Sequence, residues 1–233
     1  MPTVRKEDQI LCFKIVYCGT ALSGKTTNLS QIHNRLEPSG RGEMVSLSTA
    51  ADRTLFFDFL AVEANVVPGY RTLFQLYTVP GQISYNATLQ LVIKQADGIV
   101  FVADSQIDRQ RDNLQSFQTL EANLRMNGNS IDRIPLVLQY NKRDLPNAAP
   151  VEYMEFLLNN RTRRFISFEA DAARGRNVLA TLNAVSQGVL AQFQERLVRE
   201  RMELEEEPAT PSDPPPPASA GVESRAPAMA AAS

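Results

Sequence analysis

The sequence predicts an α/β fold: a mostly parallel, six-stranded sheet with one antiparallel edge strand and helices on both faces. Three observations predict it. Apolar, β-branched or aromatic runs recur at 11–18, 54–62, 72–79, 98–104, 135–141 and 164–168. Helical patterns fill most of the other gaps, near 25–36, 84–95, 110–126, 151–159 and 177–206. Between the second and third runs stands "VPGY", 67–70, whose Pro-Gly pair suits a type II turn and makes those runs an antiparallel hairpin. Alternation of this kind belongs to a parallel sheet covered on both faces.

The first run, "LCFKIVYC", carries both cysteines of the chain. Six residues of strand put Cys12 and Cys18 about 20 Å apart on one face, too far for a disulfide, so both are expected as small buried thiols. In the first helix, Leu29, Ile32 and Leu36 form an apolar stripe. His33, the only histidine, adjoins it and reads as a packing or helix-surface residue rather than a catalyst. The last helix ends in "QERLVRERMELEEE", where Glu195–Arg199, Arg196–Glu200 and Arg199–Glu203 are spaced as i,i+4 pairs on a solvated face. Beyond Glu207 the chain turns to Pro and Ala, seven of its 14 prolines among them, with too few large apolar residues to offset ordering. The expected organisation is an N-terminal arm at 1–9, one globular domain at 10–196, a charged helix extension at 197–207 and a disordered tail at 208–233.

The 233 residues allow one good core. A formal net charge of −2 and a pI near 5.6 give no electrostatic case for nucleic acid or anionic lipid as the main partner. No stretch approaches the ~18 apolar residues of a membrane span, and neither end carries a lipid-anchor motif. A cytoplasmic, monomeric domain with no direct membrane anchor is expected. Any anion must be held by local geometry.

"GTALSGKT", Gly19–Thr26, supplies such geometry. It matches G-x-x-x-x-G-K-[ST] and lies between a strand and a helix, the context a phosphate-binding loop requires. Backbone N–H groups from Gly19 through Ala21, Leu22, Ser23 and Gly24 to Thr27 are placed to surround phosphates, and the helix N-terminus adds its positive end. Lys25 is expected on the β- and γ-phosphates and Thr26 on magnesium. "NKRD" follows the strand "IPLVLQY", at a C-terminal strand end where open α/β sheets bind ligands. There the Asp144 carboxylate can accept from guanine N1–H and its exocyclic amine, a pattern adenine lacks. Asn141 can brace the loop, and the Lys142 stem can cover the base. Guanine nucleotides, GTP and GDP with Mg2+, are the expected cofactors.

Two segments between these motifs are candidate switches. In "ADRTLFFDF", Thr54 offers a second hydroxyl for magnesium, and Arg53 is either solvated or an arginine finger supplied in cis. Phe56, Phe57 and Phe59 read as strand packing residues. In "LYTVPGQ", Gln82 is placed to orient the attacking water and the Gly81 N–H to meet the γ-phosphate. The acid that usually precedes Gly-Gln by three residues, and helps to hold magnesium, is replaced by Thr78.

Together, "GKTTNL", "DRTLFFDFL", "LYTVPGQ", "DGIVFVADSQ" and "QYNKRDLPN" resemble the MglA-type small Ras-like GTPases of bacteria, over roughly residues 10–195. That resemblance implies the small G-protein fold of P-loop NTPases and a slow GTPase switch of cell polarity or gliding motility. It implies Gln82 and Arg53 as catalytic residues, GTP-state effectors, recruitment to a cell pole, and a roadblock-fold, MglB-like activating protein. T-V-P-G-Q is characteristic of the family, so Thr78 is a family trait, and Asp52 or Asp58 is left to supply the missing charge. By the same resemblance the Ala172 N–H is expected on the base oxygen. Ala21 stands where the family usually has glycine, which leaves binding intact and bears on rate. The alternative is a GTP-loaded binding module with little or no hydrolysis. A P-loop kinase or ATPase would leave "NKRD" and "TVPGQ" as coincidences.

Overall fold

A computed structural model describes residues 3–5, 9–48, 56–81 and 86–206. Five parallel strands form its centre: β2 (Ile10–Cys18), β5 (Tyr70–Thr78), β6 (Gly98–Asp104), β7 (Leu136–Asn141) and β8 (Ile166–Glu169). Their order is β5-β2-β6-β7-β8. Antiparallel to β5 runs β4 (Phe56–Val67), joined to it through Pro68-Gly69. Gly69 has φ +79°, the left-handed value a type II turn demands of its third residue.

The expected fold class stands, with two strands more than the six read from the sequence. β1 (Thr3–Arg5) pairs antiparallel with Ile10–Cys12, so part of the expected arm belongs to the sheet. β3 (Val45–Ser48) pairs antiparallel with β4 and takes its place at the edge. Three and four residues are too few to show a period of two in sequence. The Pro-rich tail at 208–233 lies outside the described residues.

Strict alternation sorts the strand side chains into two cores. Leu11, Phe13, Ile15 and Tyr17 of β2, with Val100 and Val102 of β6, pack against α1 (Lys25–Arg35) and α5 (Val178–Glu206) through Leu29, Ile32, Val178, Leu182, Val185 and Val189. Val16 and Cys18, with Ile99, Phe101 and Ala103, face α2 (Asn86–Ile93), α3 (Gln110–Met126) and α4 (Val151–Leu158). Both cysteines are buried and free, as their spacing predicts. Burial pushes the Cys18 thiol up to about 12. Phe57 and Phe59 pack on Tyr77, their ring centroids 5.7 and 5.1 Å from it. No helix among the described residues is long and apolar enough to cross a membrane.

The parallel strands leave β2 in opposite directions, to β5 on one side and β6 on the other. The switch point therefore lies at the C-terminal end of β2, where Gly19 begins the loop into α1. The sheet is held against α5 by a close approach: a Cβ on Gly98 would sit 2.6 Å from Val189 Cγ2 and 3.0 Å from Val185 Cγ2. Gly98→Ala is expected to destabilise the protein by about 1–3 kcal/mol through overpacking, read as a lower urea midpoint at an unchanged slope.

Candidate functional site

The strand ends deliver four segments to one edge. The first is the loop Gly19–Gly24, which adopts left-handed backbone at Gly19 (φ +133°), Leu22 (φ +61°) and Gly24 (φ +100°). Gly24 is the N-cap of α1, yet no side chain caps that helix and no acid sits in its first turn. The N–H groups of Lys25, Thr26 and Thr27 precede the first intrahelical bond, Asn28 N to Gly24 O, and are left for an anion. Lys25 is buried, its ammonium donating to the carbonyls of Gly19 (3.1 Å) and Thr20 (2.5 Å). Desolvation lowers its pKa to about 8, partly offset by the charge of Asp58.

Asn28 holds this loop from beneath. Fully buried, it donates to Gly24 O and exchanges hydrogen bonds with Gln139 of β7, which in turn donates to Thr181 of α5. Sequence reading missed this buried amide pair. The only local signal was a polar residue, Gln139, inside an otherwise apolar strand.

The second segment is "NKRD". The Asn141 side chain donates to Ser23 O at 2.7 Å and accepts from Ala172 N at 2.8 Å. One buried amide thus ties the phosphate loop to the third segment, the turn after β8. The Ala172 N–H, expected on the base oxygen, has Asn141 as its partner here. Lys142, at φ +65°, pairs with the buried carboxylate of Asp104 at 2.7 Å, so its ammonium is anchored and its stem spans the space between. Asp144 presents its carboxylate at the same edge, with Arg174 Nη1 3.5 Å away.

The fourth segment answers the missing acid. Thr78 and Asp58 stand side by side, one step beyond the paired Phe59 and Tyr77. The Asp58 N–H donates to Thr78 Oγ1 at 2.9 Å, and Thr78 Oγ1 donates to Asp58 Oδ2 at 2.8 Å. The same Oδ2 accepts from Thr26 Oγ1 at 2.6 Å, while Ser46 donates to Oδ1 at 2.7 Å. The carboxylate absent from β5 is therefore present one strand over, beside Thr26, the threonine expected on magnesium. A carboxylate among three hydroxyls is a set of hard oxygen donors that fits Mg2+, which keeps several waters and needs few protein ligands. Asp52, the other acid considered, lies outside the described residues, as do Arg53, Thr54 and Gln82.

Gly81, the last described residue of this segment, lies directly on the phosphate loop. A Cβ there would sit 2.2–2.4 Å from Thr20 C, Ala21 N and Gly19 O, so only glycine fits. Arg109 reaches the same loop from the α3 side, donating to Ala21 O at 3.2 Å.

A profile of the ADP-ribosylation factor family matches residues 5–197. The chain is also 49% identical over 180 residues to the mutual gliding-motility protein MglA of Myxococcus xanthus (strain DK1622), covering 77% of this chain and 91% of that one. The chain is a small GTPase of this family, of the MglA type. The family accounts for the fold, and its members bind guanine nucleotides, usually with Mg2+. In this GTPase the strand ends gather Lys25, Thr26, Asp58, Thr78, Gly81, Asn141, Lys142, Asp144 and Ala172 at one edge of the sheet.

Two expectations follow from this geometry. Asp58→Ala is expected to weaken magnesium-dependent nucleotide retention about tenfold or more, as loss of supporting metal contacts does. Thr78→Asp in that background returns a carboxylate to the same place and is expected to restore most of the loss, read by nucleotide release with and without EDTA. Lys25 gives a pH signature. Its pKa is lowered to about 8 in the free protein, and a bound phosphate favours the charged form. Binding therefore takes up a proton at alkaline pH, and GDP affinity is expected to fall about sevenfold between pH 7 and about 8.8. Lys25→Ala should bind weakly and lose that pH dependence.

Proposed function

We propose that this small GTPase is a GTP-hydrolysing switch whose nucleotide state, rather than its product, is the output. The observation that carries the reading is Asp58: with an acid hydrogen-bonded to both Thr26 and Thr78, the missing switch acid does not mark a dead site. Backbone N–H groups of Gly19, Ala21, Leu22, Ser23, Gly24 and Thr27 cradle the phosphates, with Lys25 on the β- and γ-oxygens. Thr26 and Thr54 would hold Mg2+, which when bound would neutralise developing phosphate charge, and Asp58 would supply the anion beside Thr26. Asp144 reads guanine, braced by Asn141, with the Lys142 stem and the Ala172 N–H completing the base pocket.

Gln82 orients the attacking water and Arg53 stabilises charge in the transition state. The Gly81 N–H meets the γ-phosphate, since Gly81 already touches Ala21. A slow intrinsic rate, raised by a roadblock-fold activator, and GTP-state effectors fit the likeness to MglA. So does a role in gliding motility or cell polarity, with recruitment to a pole through partners. The domain would occupy 10–196, with the helix extension at 197–207 and the tail beyond it available to partners.

Single-turnover hydrolysis of GTP with magnesium, alone and with a roadblock-type partner, tests this reading. Slow turnover that the partner accelerates is expected. Gln82→Leu and Arg53→Ala should each keep nucleotide affinity within about threefold and slow stimulated turnover by about 10²-fold or more. Tight GTP binding with no turnover in either condition would sink the switch and leave a GTP-loaded binding module.

A further inference from the structure

The turn after β8 contains a second acid beside the guanine-reading one. Asp171 is buried, and its carboxylate accepts from Arg174 twice, from the backbone N–H at 3.1 Å and from Nη1 at 2.8 Å. The same Nη1 lies 3.5 Å from Asp144 Oδ2, so one guanidinium nitrogen serves both carboxylates. Burial alone would raise the Asp171 carboxyl, and the hydrogen bonds and charge of Arg174 more than offset it, holding the group below the usual range.

Position rather than chance puts Arg174 there. Its backbone carbonyl accepts from Arg35 of α1 at 2.6 Å, and the neighbouring Ala173 carbonyl accepts from Gln31 at 3.1 Å. Asp171 and Arg176 close the turn by pairing antiparallel, Gly175 supplies its left-handed residue at φ +73°, and Ala172 is tied to Asn141. The turn is thus fastened on three sides, and the Arg174 side chain extends from it across Asp171 toward Asp144. That side chain is 73% exposed, so solvent screens its Coulomb attraction. Its contribution lies in geometry and in cancelling the neighbouring charge, not in stability.

Asp144 can accept two donors from guanine only as an ionised carboxylate aimed at the base edge. A second carboxylate within one guanidinium's reach opposes that aim, because like charges repel and push the side chains apart. We propose that Arg174 is a positioning residue for guanine recognition: it neutralises Asp171 and tethers Asp144 in the orientation that accepts both N1–H and the exocyclic amine. The proposal rests on the reading of Asp144 as the guanine-binding acid.

Inosine lacks the exocyclic amine, so GTP and ITP together report the aim of Asp144 as distinct from general loop order. Competition against a fluorescent GDP analogue would give the affinities of both for the full chain and its variants. Arg174→Ala is expected to weaken GTP roughly 3- to 30-fold and ITP clearly less, so the GTP/ITP ratio falls. Arg174→Ala combined with Asp171→Asn removes the charge that needs cancelling and is expected to regain most of that ratio. Equal losses for GTP and ITP, an unchanged or tighter GTP affinity, or a double variant as poor as the single one would each overturn the proposal. Asp144→Asn is the control, expected to lose GTP and gain XTP. Failure of that control overturns the underlying reading and the proposal with it. A control that behaves beside a silent Arg174→Ala overturns the proposal alone.

Discussion

The Asn141 amide is the interaction on which the geometry of the site depends. It is 2% exposed, donates to Ser23 of the phosphate loop and accepts from Ala172 of the turn after β8. Three loops that share no sequence neighbourhood are thereby fixed to one side chain. The fit is mutual, since a Cβ on Gly24 would sit 2.2 Å from Asn141 Nδ2. The glycine of the phosphate-loop motif is thus required twice, once by its backbone at φ +100° and once by this amide. In a buried place, an amide with both ends satisfied rigidifies, whereas one with a missing partner costs stability.

Beneath that layer, Asn28, Gln139 and Thr181 form a second polar cross-link, joining α1, β7 and α5. Two amides therefore hold adjacent carbonyls of the loop, Asn141 at Ser23 and Asn28 at Gly24, while the N-terminus of α1 stays free of side-chain caps. Rigidity of this kind is what preorganised anion binding needs, because donors that already point inward need no reorganisation when the ligand arrives.

Long elements were legible because periodicity accumulates over many residues: all five helices and the six expected strands occur within a few residues of where the sequence put them. β1 and β3 escaped notice because three or four residues carry no period. The phosphate loop and "NKRD" were legible because their chemistry is contiguous. The relocated acid was not, since Thr78 and Asp58 are 20 residues apart and meet only through the register of β4 against β5. A local motif sees a missing Asp; the pleat shows Asp58, Leu60 and Val62 on the same face as Thr78, Leu76 and Phe74. Asp171 and Arg174 were hidden for a similar reason, since their link to Asp144 crosses from one strand end to the next.

The buried thiols have a practical consequence for spectroscopy. Cys12 is shielded within the sheet, and burial pushes the Cys18 thiol up to about 12, so it stays protonated near neutral pH. Maleimides and similar reagents attack the thiolate, so the native sulfurs are nearly silent in the folded state. A single cysteine introduced on an exposed helix face, at Gln118 or Met126 of α3 for instance, would then be the dominant point of attachment for a fluorophore or spin label. Distances between such a label and the nucleotide edge become measurable without first stripping the wild-type cysteines from the core.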